Sequence, residues 1–320
     1  MYWIRNTTAI LATAAALSLT QTAFAQVTRI VVGGPPGGNT DIAARLISDK
    51  LGRQLGSSVV IENKPGAGGT LAAEVVKNAK PDGLTIGLVT VSNATNETLL
   101  ANKSFSLIAD LEPVGLYAWL SNVLIINPSI PATTVPELVA ALKTKTLINF
   151  SSGGIGSPGH LSGETFKRMT NLPMTHIPYK GAPPAVLAVM TNEVSLMFST
   201  ASAALPQIKG KTVRPIAVTS TVRLAALPDV PTFLEAGLTG FDVRDWIGFV
   251  VPKGTPADVR ERLHRAFAAA FADPDLVKRF EDNTMVTASP PLAPAAFGEF
   301  LAADVAKWAR VIKEAGMQPQ

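Results

Sequence analysis

Two glycine-rich runs hold the residue types best suited to seating a ligand. The first is Gly33-Gly34-Pro35-Pro36-Gly37-Gly38-Asn39-Thr40-Asp41. Glycine lets a backbone approach a bound group closely and turn its N–H groups toward it. A helix opening at the end of this run adds unpaired N–H donors and a partial positive charge, a combination that suits an anion. The same residues have a plainer use, a tight turn in which Asp41 pairs with Arg45 one helical turn later. Both uses stay open on spacing alone. The second run is Ser151-Ser152-Gly153-Gly154-Ile155-Gly156-Ser157-Pro158-Gly159-His160. Gly154, Gly156 and Gly159 make a G-x-G-x-x-G, the spacing of a dinucleotide fingerprint. Against that reading, the next strand ends at Tyr179 with no acidic residue for a ribose. An exported chain would also have to find its nicotinamide cofactor outside the cytoplasm. A second anion seat fits better, because Ser151, Ser152 and Ser157 add hydroxyl donors to the backbone ones.

Catalytic patterns are thin. The chain has three His and no Cys. A hydrolase built on Ser157 and His160 needs G-x-S-x-G, and Ile155 stands where the first glycine belongs. No H-E-x-x-H or similar ligand spacing appears, so no metal is expected. No cofactor and no catalytic residue are expected either. Neither glycine run contains an Arg. The nearest cation at a strand end is Lys180, in Tyr179-Lys180-Gly181-Ala182, which serves equally well as a solvated loop lysine. Recognition should therefore rest on backbone and hydroxyl hydrogen bonds.

The elements that position these loops follow from periodicity. Arg29–Val32 reads as a strand. Asn39–Leu55 reads as a helix with apolar residues at Ile42, Leu46, Ile47, Leu51 and Leu55, capped by Asn39 or Thr40. Val59–Ile61 and Leu84–Val89 read as strands around a helix at Leu71–Ala79. Alternation of this kind predicts a parallel sheet. The rhythm restarts with strands at Val123–Ile126, Leu147–Phe150, Met174–Pro178, Val194–Phe198 and Arg214–Val218, and with intervening helices. After Trp246 come a strand at Ile247–Val251 and long helices at Pro256–Ala272 and Pro294–Ala315. This tail is expected to return to the first sheet. The fold class expected is α/β: two lobes, each a mostly parallel sheet flanked by helices, with a cleft between them. Lobe 1 would comprise residues 26–126 and 247–320, and lobe 2 residues 127–246. Ligands in open parallel sheets sit at the carboxyl ends of the strands, where both glycine runs fall.

The first residues are set aside from the fold. Arg5 precedes an apolar stretch, and Ala23-Phe24-Ala25 is a small-x-small site before Gln26. Together they read as a secretory signal peptide, residues 1–25, cleaved after Ala25. The stretch is too short and too interrupted by Thr, Ser and Gln for a membrane anchor. An exported chain without Cys owes its stability to core burial. The net charge of +4 is spread out, with no basic cluster interleaved with aromatics, so no nucleic-acid partner is expected.

Beyond these patterns, the run Gly34-Pro35-Pro36-Gly37-Gly38-Asn39-Thr40-Asp41-Ile42-Ala43-Ala44-Arg45-Leu46 resembles the opening of the Bug/TctC family. These are the solute-binding proteins of tripartite tricarboxylate transporters. Glu62-Asn63-Lys64-Pro65-Gly66-Ala67-Gly68-Gly69, Pro81-Asp82-Gly83, His160-Leu161 and Ile177-Pro178-Tyr179-Lys180-Gly181 are similar to further signatures. So are Leu227-Pro228-Asp229-Val230-Pro231-Thr232-Phe233, Trp246, Pro252-Lys253-Gly254-Thr255-Pro256 and Lys307-Trp308. The resemblance implies a periplasmic binding protein of the type II class that captures a small organic acid between two lobes. It implies Pro36, Gly37, Gly38, Asn39, Thr40 and Asp41 as ligand positions in lobe 1, and Ser151, Ser152, Gly156 and Ser157 in lobe 2. Thr90, Ser92, Tyr179 and Gly181 are similar to further cleft-lining positions. After Met197-Phe198 the family often has Asp, and here Ser199-Thr200 stand. That departure leans against an amino acid ligand; the class the resemblance implies is a di- or tricarboxylate or an aromatic acid. The partners implied are a membrane permease or a sensor kinase. The state implied is a periplasmic monomer that does not insert into the membrane. The reading from a different class is a secreted, hydrolase-like enzyme on the same framework.

Overall fold

The computed structural model describes residues 26–101, 104–241 and 243–319. The expected signal peptide and its cleavage point lie outside the described residues.

The chain builds two sheets. The first half of the first sheet comes from β1 (Val27–Val32), α1 (Asn39–Leu55), β2 (Ser58–Asn63), α2 (Thr70–Lys77), β3 (Thr85–Val89), α3 (Val91–Leu99) and β4 (Leu111–Leu120). The chain then crosses at Ser121. The second sheet forms from β5 (Asn122–Ile126), α4 (Val135–Lys143), β6 (Ile148–Ser152), α5 (Pro158–Thr170), β7 (Met174–Pro178), α6 (Ala182–Met190), β8 (Leu196–Thr200), α7 (Ala201–Lys209) and β9 (Arg214–Val218). It returns through β10 (Asp245–Pro252), α8 (Ala257–Phe271), α9 (Pro274–Asp282), β11 (Met285–Leu292) and α10 (Pro294–Glu314).

Strand order is β11-β4-β10-β3-β1-β2 in the first sheet and β7-β6-β8-β5-β9 in the second. β1 pairs in parallel with β2 and β3, and β6 with β7 and β8. The strands that follow each crossing run against their neighbours: β5 is antiparallel to β8 and β9, and β10 to β3 and β4. Each crossing strand thus enters its new sheet from the side of the other lobe. Residues 122–126, which the sequence pattern assigns to the first lobe, pair in the second sheet. Asp245 and Trp246, assigned to the second, pair with Leu120 and Trp119 in the first.

Burial explains the elements. β3 and β10 are buried along their whole length, as strands covered on both faces must be. One face of the first sheet packs Ala43, Ile47 and Leu51 of α1 with Phe267 and Phe271 of α8 around Tyr117 and Phe249. The Tyr117 hydroxyl reaches His264 Nδ1 at 2.8 Å, which gives that histidine a structural partner. The other face packs Trp246 against Phe297, Leu301 and Trp308 of α10. The second sheet is covered likewise, with Phe150, Phe166, Phe198 and Phe233 on one side and Val186, Val189 and Met197 on the other.

The lobes touch. Leu161 of α5 is buried in the same apolar cluster as Trp246 and Leu99. Thr95 donates to the Gly156 carbonyl at 3.2 Å, Arg168 pairs with Glu314 at 2.7 Å, and Ser202 donates to Asn39 Oδ1 at 2.5 Å. That last bond corrects one expectation. Asn39 and Thr40 do not cap α1: the cap position is Gly38, without a side-chain hydrogen bond. The Asn39 side chain reaches across to the other lobe instead.

Candidate functional site

A cleft of about 800 Å³ opens between the lobes, a size suited to a small organic molecule. The first glycine run forms one wall. Pro36, Gly37, Gly38, Asn39 and Thr40 all line it. Gly37 sits at φ +78, and a Cβ there would meet nothing within 4 Å, so it is the backbone turn and not crowding that asks for glycine. Asp41 lies behind the wall and is buried. Its carboxylate accepts from the Gly37 N–H at 2.8 Å, Arg45 Nε at 2.9 Å and Asn63 Nδ2 at 3.0 Å, while Asn63 also holds the Gly34 carbonyl at 3.0 Å. Desolvation works against the charged form, but these hydrogen bonds outweigh it and hold the carboxyl below its usual range. Of its two open uses, Asp41 takes the plainer one. It pins the loop and does not face the cleft.

The opposite wall is built from the second glycine run and the ends of β7 and β8. Ser157, Gly181 and Thr200 line the cleft, with Gly153, Gly159, Ser202 and Ala203. Ser157 caps α5 by accepting from the His160 N–H at 3.3 Å and donates to the Gly154 carbonyl at 2.7 Å. Ser151, Ser152, Gly156, Tyr179 and Ser199 are not on the cleft surface. Ser151 Oγ is spent on the Ala185 carbonyl at 2.9 Å and Ser199 Oγ on the Thr200 carbonyl at 3.1 Å. Tyr179 Oη donates to Glu193 at 2.8 Å. Gly156, at φ +72, faces the other lobe, where a Cβ would lie 2.6 Å from Leu99 Cδ1.

Ser152 belongs to a group behind the loop. Its Oγ lies 2.7 Å from His176 Nε2. The His176 ring stacks on His160 at 3.7 Å between centroids, and His160 Nδ1 accepts from the Gly156 N–H at 3.1 Å. Burial pushes both histidines down, to about 4 for His176 and about 3 for His160, which the neighbouring His176 and Lys167 lower further. They stand as neutral, stacked rings that brace the loop.

The floor holds residues that no sequence motif signals. Thr90 and Ser92, expected from the resemblance, line it beside Leu120, Asn122 and Asp245. Thr90 caps α3 by accepting from the Ser92 N–H at 3.3 Å, and Asn93 completes the box on the Thr90 N–H at 3.0 Å. Asp245 Oδ1 accepts from the N–H groups of Val91 at 3.3 Å and Trp246 at 2.8 Å.

The electrostatic character follows from the helices. The N-terminal ends of α1, α3, α5, α6 and α7 all reach the cleft lining. Those of α1, α6 and α7, at Gly38, Gly181 and Thr200, have no side-chain cap. First-turn N–H groups without a protein acceptor seek one from a ligand, and converging helix dipoles favour negative charge. α6 adds few donors, because Pro183 and Pro184 in its first turn have no N–H, and in α7 the Ala201 N–H is spent on the Ser121 carbonyl at 2.9 Å. Lys180 adds a cation at the exposed rim. Among the described residues, no cluster of three or more His, Asp or Glu side chains could hold a metal ion. No helix among them is long and apolar enough to cross a membrane.

Comparison with known proteins places this geometry. The family model described as "Tripartite tricarboxylate transporter family receptor" matches residues 43–317. A protein of Agrobacterium vitis from the TAR-I ttuE-ttuC' intergenic region is 34% identical over 289 residues, covering 90% of this chain and 84% of its own. The solved periplasmic binding protein BugD is 33% identical with a TM-score of 0.80, covering 92% of this chain and 99% of its own. The R. palustris protein Rpa4515, solved with adipate, is 30% identical with a TM-score of 0.81, covering 92% of this chain and 98% of its own.

Proposed function

Because the chain belongs to the tripartite tricarboxylate transporter receptor family, we propose that it captures a small organic acid in the cleft between its lobes and hands it on unchanged. The observation that carries this reading is the convergence of helix N-termini, three of them uncapped, on a single cleft. A carboxylate accepts from such N–H groups without needing an Arg. Adipate bound to the similar Rpa4515 is consistent with that class of ligand. The ligand positions in this reading are Pro36, Gly37, Gly38, Asn39, Thr40, Thr90, Ser92, Ser157, Gly181 and Thr200. Asp41, Ser151, Ser152, Gly156, Tyr179 and Ser199 support them from behind.

The mature chain would work in the periplasm after loss of residues 1–25, as a monomer, delivering its acid to a membrane permease or a sensor kinase. Its lobes would hinge at the crossings near Ser121 and near Arg244, so that closing brings the two walls onto the ligand. Titration calorimetry of residues 26–320 against di- and tricarboxylates, aromatic acids and their amides tests this. Saturable binding of an acid, with the acid recovered intact by mass spectrometry, is the expected result. Product in place of the added acid would make the protein an enzyme, and binding of amides as tight as of acids would end the carboxylate reading.

A further inference from the structure

The cleft floor does not match its walls. The walls offer N–H and hydroxyl donors, but the floor carries a carboxyl and a carboxamide with hydrogen-bonding capacity to spare. Asp245 is 6% exposed and lines the cleft. Its Oδ1 takes both backbone N–H groups, and among the described residues no hydrogen bond engages Oδ2. Asn122 is 2% exposed, lines the same cleft, and its Nδ2 has no partner among the described residues. The topology brings these distant positions together. Asp245 opens β10 opposite Leu120, the last residue of β4, and Asn122 opens β5 just beyond it. Both therefore sit at the lobe junction.

Buried polar groups left without partners are costly once a ligand expels water from around them. A ligand with its carboxylate on the helix N-termini must present some other group to this floor. A methyl would leave both side chains unpaired. A second carboxylate would only accept, and would face the Asp245 carboxyl at close range. An ammonium would only donate, leaving the Asn122 amide unmet. A hydroxyl donates one hydrogen bond and accepts others, so it satisfies both. Burial pushes the Asp245 carboxyl up to about 7, an effect to which Asp304 adds and which the Trp246 and Val91 amides oppose. Near neutral pH it is therefore present both protonated and ionised, and a hydroxyl meets either form, accepting from the first and donating to the second.

We infer that Asp245 and Asn122 form a second recognition subsite that selects organic acids bearing a hydroxyl at the end remote from the bound carboxylate. This rests on the carboxylate reading above.

The test is calorimetry on the mature protein with ω-hydroxy acids of three to six carbons. Each is compared with the unsubstituted acid, the ω-amino acid and the dicarboxylate of matching length. The expected result is one chain length at which the hydroxy acid binds about tenfold or more tighter than all three. Asp245→Asn keeps an oxygen for the Val91 and Trp246 amides but replaces the free acceptor with a donor. It should cut the hydroxy-acid advantage to about threefold or less and improve dicarboxylate binding. If unsubstituted, amino or dicarboxylic acids bind wild type as tightly as the hydroxy acids, the subsite is overturned while the carboxylate reading stands. The subsite is equally overturned if Asp245→Asn leaves the order of preference unchanged. If no acid in the series binds, both readings fall.

Discussion

Asp41 teaches how much a residue can matter without touching a ligand. It shares the glycine run that lines the cleft, yet its oxygens are spent on Gly37, Arg45 and Asn63. Those bonds fix the turn of the loop and so hold the start of α1 against the cleft. Asp41→Ala should leave the cleft's own atoms in place yet weaken acid binding about tenfold, the cost of charge-assisted hydrogen bonds that no longer hold the loop. Unchanged affinity by calorimetry would show that the loop holds its shape without them. The buried titratable groups make a second prediction at this scale. His160 and His176 are held neutral in the fold, and the unfolded chain protonates them near 6.5. The unfolded state then binds more protons, so this pair destabilises the fold as pH falls from about 6.5 toward about 4. Asp245 has the opposite sign. Its folded value is raised from 3.8 to about 7, so it costs stability as pH rises through that interval. The two trends offset each other in wild type. Removing the second by Asp245→Asn should steepen the loss of melting temperature between pH 6.5 and 4.5, and parallel curves for the two proteins would contradict the assignment.

At the scale of elements, the strands and helices with clear periodicity were legible, and the site's walls with them. Asn39–Leu55, Met174–Pro178 and Arg214–Val218 fall where apolar spacing puts them. What periodicity hides is α3, because its buried face is polar. Asn93, Thr95 and Asn96 are buried and hydrogen-bond to Thr90, Gly156, Ala67 and Thr70, while the Asn93 Nδ2 has no partner among the described residues. The only local signal was Thr90-x-x-Asn93, a variant of the capping box. α7 is masked by Pro206 in its interior, and β11 by Pro290 and Pro291. The floor residues were hidden for another reason. Asn122 and Asp245 lie far apart in the chain and belong to no motif, so only the pairing of β10 with β4 unites them. Caps give a direct check at this scale. Ser157→Ala should cost about 1 kcal/mol of stability through the first turn of α5. Chemical denaturation with no change in midpoint would mean that the Pro158 start alone holds that helix.

For the whole molecule, the contacts across the cleft describe a pair of lobes brought close. Arg168 with Glu314, Thr95 with Gly156, Ser202 with Asn39, and Leu161 buried in one apolar cluster with Leu99 and Trp246 all join one lobe to the other. The glycine at 156 therefore lies at the contact between the lobes. Gly156→Val places a branched side chain against Leu99 and strains a positive φ, so it should hold the lobes apart while each lobe stays folded. Ligand affinity should fall at least tenfold. Small-angle scattering should report a larger radius of gyration for the liganded variant than for liganded wild type. Equal radii and equal affinity would mean that closure does not depend on this approach. The absence of Cys from the chain makes a pair of labelled cysteines, at exposed Val60 and Leu187, a clean ruler for the same motion.

The most direct measurement of the central claim is a thermal-shift titration of residues 26–320 with a panel of small acids beside their matching amides. A ligand that bridges the lobes binds only the folded protein and adds about 2.7 kcal/mol of stability at a hundredfold excess over its dissociation constant. The account predicts a rising melting temperature for at least one class of acid and none for its amides. Equal shifts for acids and amides, or no shift with any acid on a protein that melts cooperatively, would contradict it.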